Sequence, residues 1–401
     1  MISSRMPSNF LASRFAIDIV QKQHDLAKVQ EQISSGKRVN RPSDDPAYSA
    51  RILGIREATS QLDQFNRNAS AAESQLVLEE TALTGVSDSL NRIRELALSA
   101  NSGAVDDYTR SAVNAEVKLR LDELYDFGNS RDGYGNFLFG GSNTQTPPFT
   151  KQDPVIYSGG EDGNDIAVSM NRNIRTADSG KDVFMRLRDG NGSFTTASDT
   201  ANIGTGIINQ GKVTDPSSFD ATPYRIEFTS GSTYDVVNDD TGAVVSASNT
   251  YQESAPISIN GREAIISGAP VAGDIFTLSP SQNQDIFSTV SKFIDAMERS
   301  PNSASESARM TQDINKTLSG LDNALDHINT IRASVGTRLN SVDTVREENS
   351  NIKLQLERTL ADVEDIDIAE AVTNLQETAN SLELLQKSYS RIEGLSLFNY
   401  M

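Results

Sequence analysis

The sequence predicts an α+β multidomain chain: discontinuous, coiled-coil-like long-helix arms from both termini, with an inserted, mainly antiparallel β domain between them. Three observations predict it. Eight of the twelve prolines lie between Pro147 and Pro280, whereas 47–146 and everything after Pro301 hold none. Proline breaks helix interiors, so those proline-free stretches are open to long helices. Within them apolar residues recur every three or four positions over many turns. The middle instead reads as short alternating runs separated by Gly, Asn and Asp.

The first helical run carries Phe15, Ile19, Lys22, Leu26, Val29 and Ile33, apolar except at Lys22. It gives way to "SSGKRVNRPSDDPAYSA" at 34–50, whose paired aspartates invite a metal or acid/base reading. The local chemistry favours a joint. Gly36 suits a helix C-cap, and Arg41 before Pro42 is pushed to an extended conformation. Asp45 is placed to cap the next helix, with Pro46 in its first turn. That helix spans about 47 to 100, roughly 80 Å at ~1.5 Å per residue. Its seam steps through Phe65, Ala69, Ala72, Leu76, Glu79, Leu83, Val86, Leu90, Ile93 and Ala97, with Glu79 alone polar.

From about 147 to 281, "YRIEF" alternates polar and apolar, "YDVVNDDTGAVVSAS" places a turn near Asp240 to Gly242, and Asn260-Gly261 in "PISINGREAII" is a strong hairpin signal. The C-terminal arm then repeats the helical period twice. One series runs Ile314, Leu318, Leu321, Leu325, Ile328, Arg332, Val335, Leu339, Val342; the other runs Ile368, Ala371, Leu375, Thr378, Leu382, Leu385, Tyr389, Ile392. With 401 residues, two or three compact units are expected. The pattern divides them as a terminal helical assembly domain (1–42 and 362–401), a long-helix rod domain (43–146 and 282–361) and an inserted β domain (147–281). Antiparallel pairing of the arms would bring the termini together at the end opposite the insert.

Composition narrows the function. A net charge of -19 gives no general attraction for nucleic acid or anionic lipid, and no apolar stretch reaches the ~20 residues of a membrane span. The absence of cysteine excludes disulfides, thiolate nucleophiles and Cys-ligated zinc. Arg5, Arg14 and Asp18 interrupt the apolar core that a secretory signal would need. His24 and His327, the two histidines, sit beside the seams and read as exposed helix-surface residues. In "ADVEDIDIAEAV", residues Asp362, Glu364, Asp365 and Asp367 could form a carboxylate pair; the better reading is that they cap and complement the final helix. The Gly-rich pieces "RDGYG" and "IGTG" lack phosphate-loop spacing and read as turns. No enzyme, cofactor or metal site is expected.

The seams remain. The Phe65 and Ile314 stripes read as internal core, but the short N-terminal and the C-terminal stripes make at best a thin two-helix unit, marginal alone in water. Packing against other subunits would complete it, which points to assembly.

These residues carry a resemblance. "ISSGKRVNRPSDDPA", "SLNRIRELALSAN" (89–101), "RASVGTRLNSVD" (332–343) and "ADVEDIDIAEAV" resemble segments of the bacterial flagellin family, covering roughly 1–145 and 282–401 in order. "NRPSDDP", "NSRDGYGNFLFGGSNTQTPPF" (129–149), "ISGAPVAGDIFTLSPS" (266–281) and the ending "LSLFNYM" are similar to its hook-associated branch rather than to flagellin itself. A closing methionine, where leucine is usual, departs from the pattern.

The resemblance implies a structural adapter of the bacterial flagellum that joins the hook, through hook-associated protein 1, to the flagellin filament. It implies export through the type III apparatus without a cleaved signal peptide, a chaperone on the C-terminal helix, an extracellular location and self-assembly into a ring. Expected subunit or chaperone contacts are Leu26, Val29, Ile33, Leu375, Leu382, Leu385 and Ile392, with Lys37, Arg38 and Arg41 between subunits and Gly36, Pro42, Asp45 and Pro46 as interdomain joint. Two alternatives stay open: a flagellin-like filament subunit, and an extracellular carbohydrate-binding or hydrolytic module on a coiled-coil stalk. The resemblance also raises recognition of "LNRIRELALSAN" by the host receptor for flagellin, against the plainer reading that Arg92, Arg94 and Glu95 solvate a helix and pair with neighbours.

Overall fold

The computed structural model describes residues 8–102, 106–152 and 154–398. Its helices are α1 (Ser8–Ser35), α2 (Pro46–Ala100), α3 (Asp107–Gly128), α4 (Ile286–Glu298), α5 (Ala304–Glu364) and α6 (Ile368–Phe398). The chain forms two compact units, 1–67 with 345–401 and 68–344. The α+β class with a β insert between helical arms is what the proline distribution predicts, and α2 starts one residue before the expected position and ends where expected.

In the 68–344 unit, the α2 seam is interior. Ala69, Leu76, Leu83, Val86, Leu90 and Ile93 have no exposed surface, each large one contributing roughly 2 kcal/mol over an exposed counterpart. On α5 the seam alternates: Ile314, Leu321, Ile328, Val335 and Val342 are buried, while Leu318, Leu325 and Leu339 are half-buried. Arg332 Nη2 meets Glu80 Oε1 at 2.7 Å and Asn101 Nδ2 donates to Asn315 Oδ1 at 2.9 Å, tying α5 to α2. Asp106 and Asp285 cap α3 and α4 by accepting the backbone N–H of Thr109 and Ser288. Gly85 of α2 makes room for the ring of Phe127 on α3, which a Cβ would meet at 2.3 Å.

The strand pairs of the insert are antiparallel. A five-stranded sheet runs in the order Val244–Thr250, Thr233–Asn238, Tyr224–Ser230, Ile275–Pro280, Phe194–Ser198. A second sheet contains the hairpin of Pro256–Ile259 with Arg262–Ser267. Its turn places Asn260 at φ +42° and Gly261 at φ +75°, the two left-handed residues that the Asn-Gly pair predicts. Between the sheets Phe194, Ile226, Phe228, Ile266, Phe276 and Leu278 form the core. Arg262 is wholly buried there, its guanidinium over Phe219 and Tyr224 and its Nη2 2.9 Å from Asp220 Oδ1. Where the insert begins and ends, Phe149, Phe184 and Phe287 pack together and Phe287 stacks on Tyr125 of α3.

Glu79, the polar member of the α2 seam, is 1% exposed. Its Oε1 accepts the Asp178 backbone N–H at 3.0 Å, while Asp178 itself pairs with Arg338 of α5. Burial, then the nearby Asp178 charge, push the Glu79 carboxyl up to about 8, against the opposing Asp178 N–H and Arg338. Asp178 holds the Arg338 guanidinium while Glu79 Oε2 is buried without a partner, so Glu79 is the carboxyl that keeps its proton. His327 departs from its expected exposed position: it is half-buried, with Nε2 2.8 Å from the Asp182 carbonyl oxygen. His24 is exposed, as expected.

Candidate functional site

The 1–67 and 345–401 unit holds the residues singled out for assembly. Helix α1 stops because Gly36 turns left-handed at φ +72°, a conformation that glycine adopts at little cost. Arg41-Pro42-Ser43-Asp44 forms a tight turn closed by the Asp44 N–H to the Arg41 carbonyl at 2.9 Å, with proline at its favoured second position. Asp44 Oδ2 accepts the N–H of Arg41 at 2.9 Å and of Asn40 at 3.3 Å. The Arg41 bond, with help from Lys28, holds its carboxyl below the usual range. Asp45 Oδ1 accepts the N–H of Ala47 and Tyr48, each at 3.1 Å, so it caps α2, whose first residue is Pro46.

A contact invisible to the sequence period fixes this joint. Residues 36–38 lie antiparallel to 364–366: the Arg38 N–H donates to the Glu364 carbonyl at 2.7 Å and the Ile366 N–H to the Gly36 carbonyl at 3.0 Å, with Lys37 opposite Asp365. Val39 is buried against Ile52, Val363 and Leu360. Below them the Glu364 side chain, 7% exposed, accepts from Arg56 Nη2 at 2.8 and 3.0 Å and pairs with Lys37. Burial would raise its pKa, but the two cations win and hold it below the ordinary value. Glu364 is therefore not a cap for the final helix, a correction to the expectation for the acidic cluster. Asp367 does serve there, accepting the N–H of Ala369 at 2.9 Å and of Glu370 at 3.2 Å.

Lys37, Arg38 and Arg41, expected between subunits, each have a partner within the chain. Arg38 donates to the Val363 carbonyl at 3.0 Å and lies over the Tyr48 ring; Arg41 pairs with Glu31. Their outward surface still borders a groove of about 520 Å³ lined by Val39, Pro42, Pro46, Ile52 and Leu53, with Lys37, Arg41 and Arg56 around it.

Helix α1 packs along α6. Leu26, Val29, Ile33, Leu375, Leu382 and Leu385 are half-buried in that pairing, and the side chain of Ile392 lies outside the described residues. A second apolar set faces solvent: Ile17, Val20 and Leu384 are each at least 65% exposed, with Ile368 and Val372 also open. Two helices cannot cover both stripes. Elsewhere, Arg92 of "LNRIRELALSAN" pairs with Glu116 and Glu95, and Arg94 with Asp322, within the chain. Among the described residues no group of three His, Asp or Glu is poised to hold a metal, and no helix is long and apolar enough to cross a membrane.

Comparison with known proteins agrees with this arrangement. Residues 7–144 match the family model for the bacterial flagellin N-terminal helical region. Flagellar hook-associated protein 3 of Escherichia coli K12 is 23% identical over 95% of this chain and 94% of its own length. The crystal structure of flagellar hook associated protein-3 from Legionella pneumophila superposes with a TM-score of 0.74 at 31% identity, covering 78% of this chain and 98% of that one. That of Xanthomonas campestris FlgL gives 0.72 at 29%, covering 77% and 99%. Fold, sequence and the paired helical ends together establish that the chain belongs to the hook-associated protein 3 branch of the bacterial flagellin family.

Proposed function

We propose that this protein is a structural adapter at the hook-filament junction, joining hook-associated protein 1 to flagellin through a ring of its own copies. The observation that carries the reading is the α1–α6 pair. It leaves Ile17, Val20 and Leu384 open to water in a unit too thin to bury them, a surface that only further helices complete. The relatives' names support the same role: a hook-associated protein 3 aligns over 95% of the chain and a structure named as a junction protein over 78%, whereas the relatives named flagellin align over about a quarter of it. The filament-subunit alternative is correspondingly less supported.

Under this reading the protein works in the extracellular flagellum and leaves the cell through the flagellar type III apparatus without a cleaved signal peptide. A chaperone covers the C-terminal helix before export. Residues 1–42 and 362–401 act as the assembly domain, 43–146 and 282–361 as the rod, and 147–281 as the insert. Leu26, Val29, Ile33, Leu375, Leu382, Leu385 and Ile392 serve as subunit or chaperone contacts.

Deleting the gene tests the role: hooks should persist while flagellin is shed into the medium, and filaments retained at wild-type number would refute it. Leu382→Asp tests the surface. A charge on that half-buried stripe should abolish filament retention or chaperone capture while the insert stays folded by circular dichroism; normal motility would count against the assignment.

A further inference from the structure

We infer that one proton on Glu79 latches the β-hairpin of 164–177 onto helices α2 and α5, and that the hairpin lifts off them as the pH rises. Its strands, Asn164–Ser169 and Arg172–Ala177, form a two-stranded ribbon of their own. Val168 is nevertheless fully buried and Ile174 is 5% exposed. A lone ribbon cannot bury its own side chains, so this face lies on the rest of the 68–344 unit. Polar ties show where. Asn68 Nδ2 of α2 donates to the Ala167 carbonyl at 2.7 Å. Arg338 of α5 donates from Nη1 to the Arg175 carbonyl at 3.2 Å and pairs with Asp178. The Asp178 N–H closes the base of the hairpin by donating to Glu79 Oε1 at 3.0 Å.

Glu79 is where this attachment depends on a proton. Its second oxygen, Oε2, is buried without a partner on a side chain 1% exposed. The charged groups acting on it are Asp178 from the hairpin's base and Arg338 from α5, and Asp178 already holds the guanidinium. Nearby, Arg332 of α5 is engaged by Glu80, Arg175 by Asp165 and Lys181 by Glu161. None of these cations is left over to neutralise Glu79. Ionised, it sets a second negative charge against Asp178 in a buried site, and opening relieves this by admitting water to both carboxylates. The closed form holds the proton up to about pH 8, whereas an uncovered glutamate releases it near 4.5. Opening is therefore hardest at low pH, eases by up to about tenfold per pH unit between those two values, and levels off above them.

The cysteine-free chain makes a thiol reporter direct. In full-length Val168→Cys, the alkylation rate divided by that of a short cysteine peptide at the same pH measures how often the hairpin lifts. Val86→Cys, in the buried α2 seam, measures global unfolding in the same way. Between about pH 6 and 7.5 the Val168→Cys ratio should exceed the Val86→Cys ratio throughout and climb by more than about tenfold. Adding Glu79→Gln should lower the ratio and remove the climb. Adding Asn68→Ala should raise it about fivefold at every pH and keep the climb, because the tie it removes carries no titrating proton. Equal ratios for Val168→Cys and Val86→Cys mean that the hairpin opens only with the whole fold, and they overturn the inference. A flat Val168→Cys ratio, or a climb that survives Glu79→Gln, overturns it as well. Should Val168→Cys fail to fold by circular dichroism, amide exchange at Asp178 in the unsubstituted chain, read by mass spectrometry and corrected for the intrinsic rate, must show the same climb; a flat profile there refutes the latch. Each outcome stands apart from the junction role, which this latch does not require.

Discussion

Replacing Glu79 by glutamine should stabilise the protein, and by an amount set by pH. In the folded chain the Glu79 carboxyl titrates at about 8, against an ordinary value of 4.5. The folded state therefore holds a proton that the unfolded state releases, so stability is greatest below about 4.5 and is lost as pH rises towards 8. At about pH 7 the loss is about 2.5 pH units at ~1.4 kcal/mol each, on the order of 3 kcal/mol. Glutamine is neutral at every pH and keeps the oxygen that accepts the Asp178 N–H. Glu79→Gln should thus gain about 3 kcal/mol near pH 7 and less than about 1 kcal/mol near pH 5. Urea unfolding followed by far-UV circular dichroism measures both; tryptophan fluorescence is unusable because the chain has no tryptophan. Other carboxylates shift wild type and variant alike and cancel in the difference. An equal gain at the two pH values, or a loss at both, would refute the reading that buried Glu79 is protonated in the fold.

Glu364→Gln leaves Lys37 and Arg56 without their common anion and should cost about 1–3 kcal/mol, seen as faster amide exchange at 36–38 and 364–366. Since the Glu364 pKa is depressed in the fold, that anion's stabilisation is present at neutral pH and is lost on acidification through the folded value. Arg262→Met keeps much of the volume but removes the cation between Phe219, Tyr224 and Asp220; a loss of about 2 kcal/mol or more in urea unfolding is expected. Gly85→Ala forces a methyl into the Phe127 ring and should cost about 1–3 kcal/mol by thermal melting despite alanine's helix preference, a cost that should largely vanish when the same change is made in a Phe127→Ala background.

Periodic features were legible in the sequence. The α2 seam reads off spacing because each residue that steps by three or four faces one side, and Asn260-Gly261 announces its turn because few residues tolerate positive φ. Partnerships across the fold were not. Glu79 stands out as the polar member of its stripe, but its partner Asp178 lies 99 positions away and no local signal links them. The ladder between 36–38 and 364–366 joins two irregular segments, where neither period 3.6 nor period 2 operates. The acidic run before α6 reads as uniform, yet one member, Glu364, turns inward because two cations from the N-terminal arm reach it, while Asp367 accepts the first-turn N–H groups of the helix. Charge density in a run does not reveal which member is buried.

The packing of Phe149 against Phe287, ring centroids 5.1 Å apart, has a consequence for how such chains diversify. The segment between them leaves and rejoins the helices at one spot, so its length and content are nearly independent of helix register. A foreign domain whose own ends lie as close could be grafted there without disturbing the α2 seam, and natural lineages have the same freedom to enlarge, trim or exchange what they display.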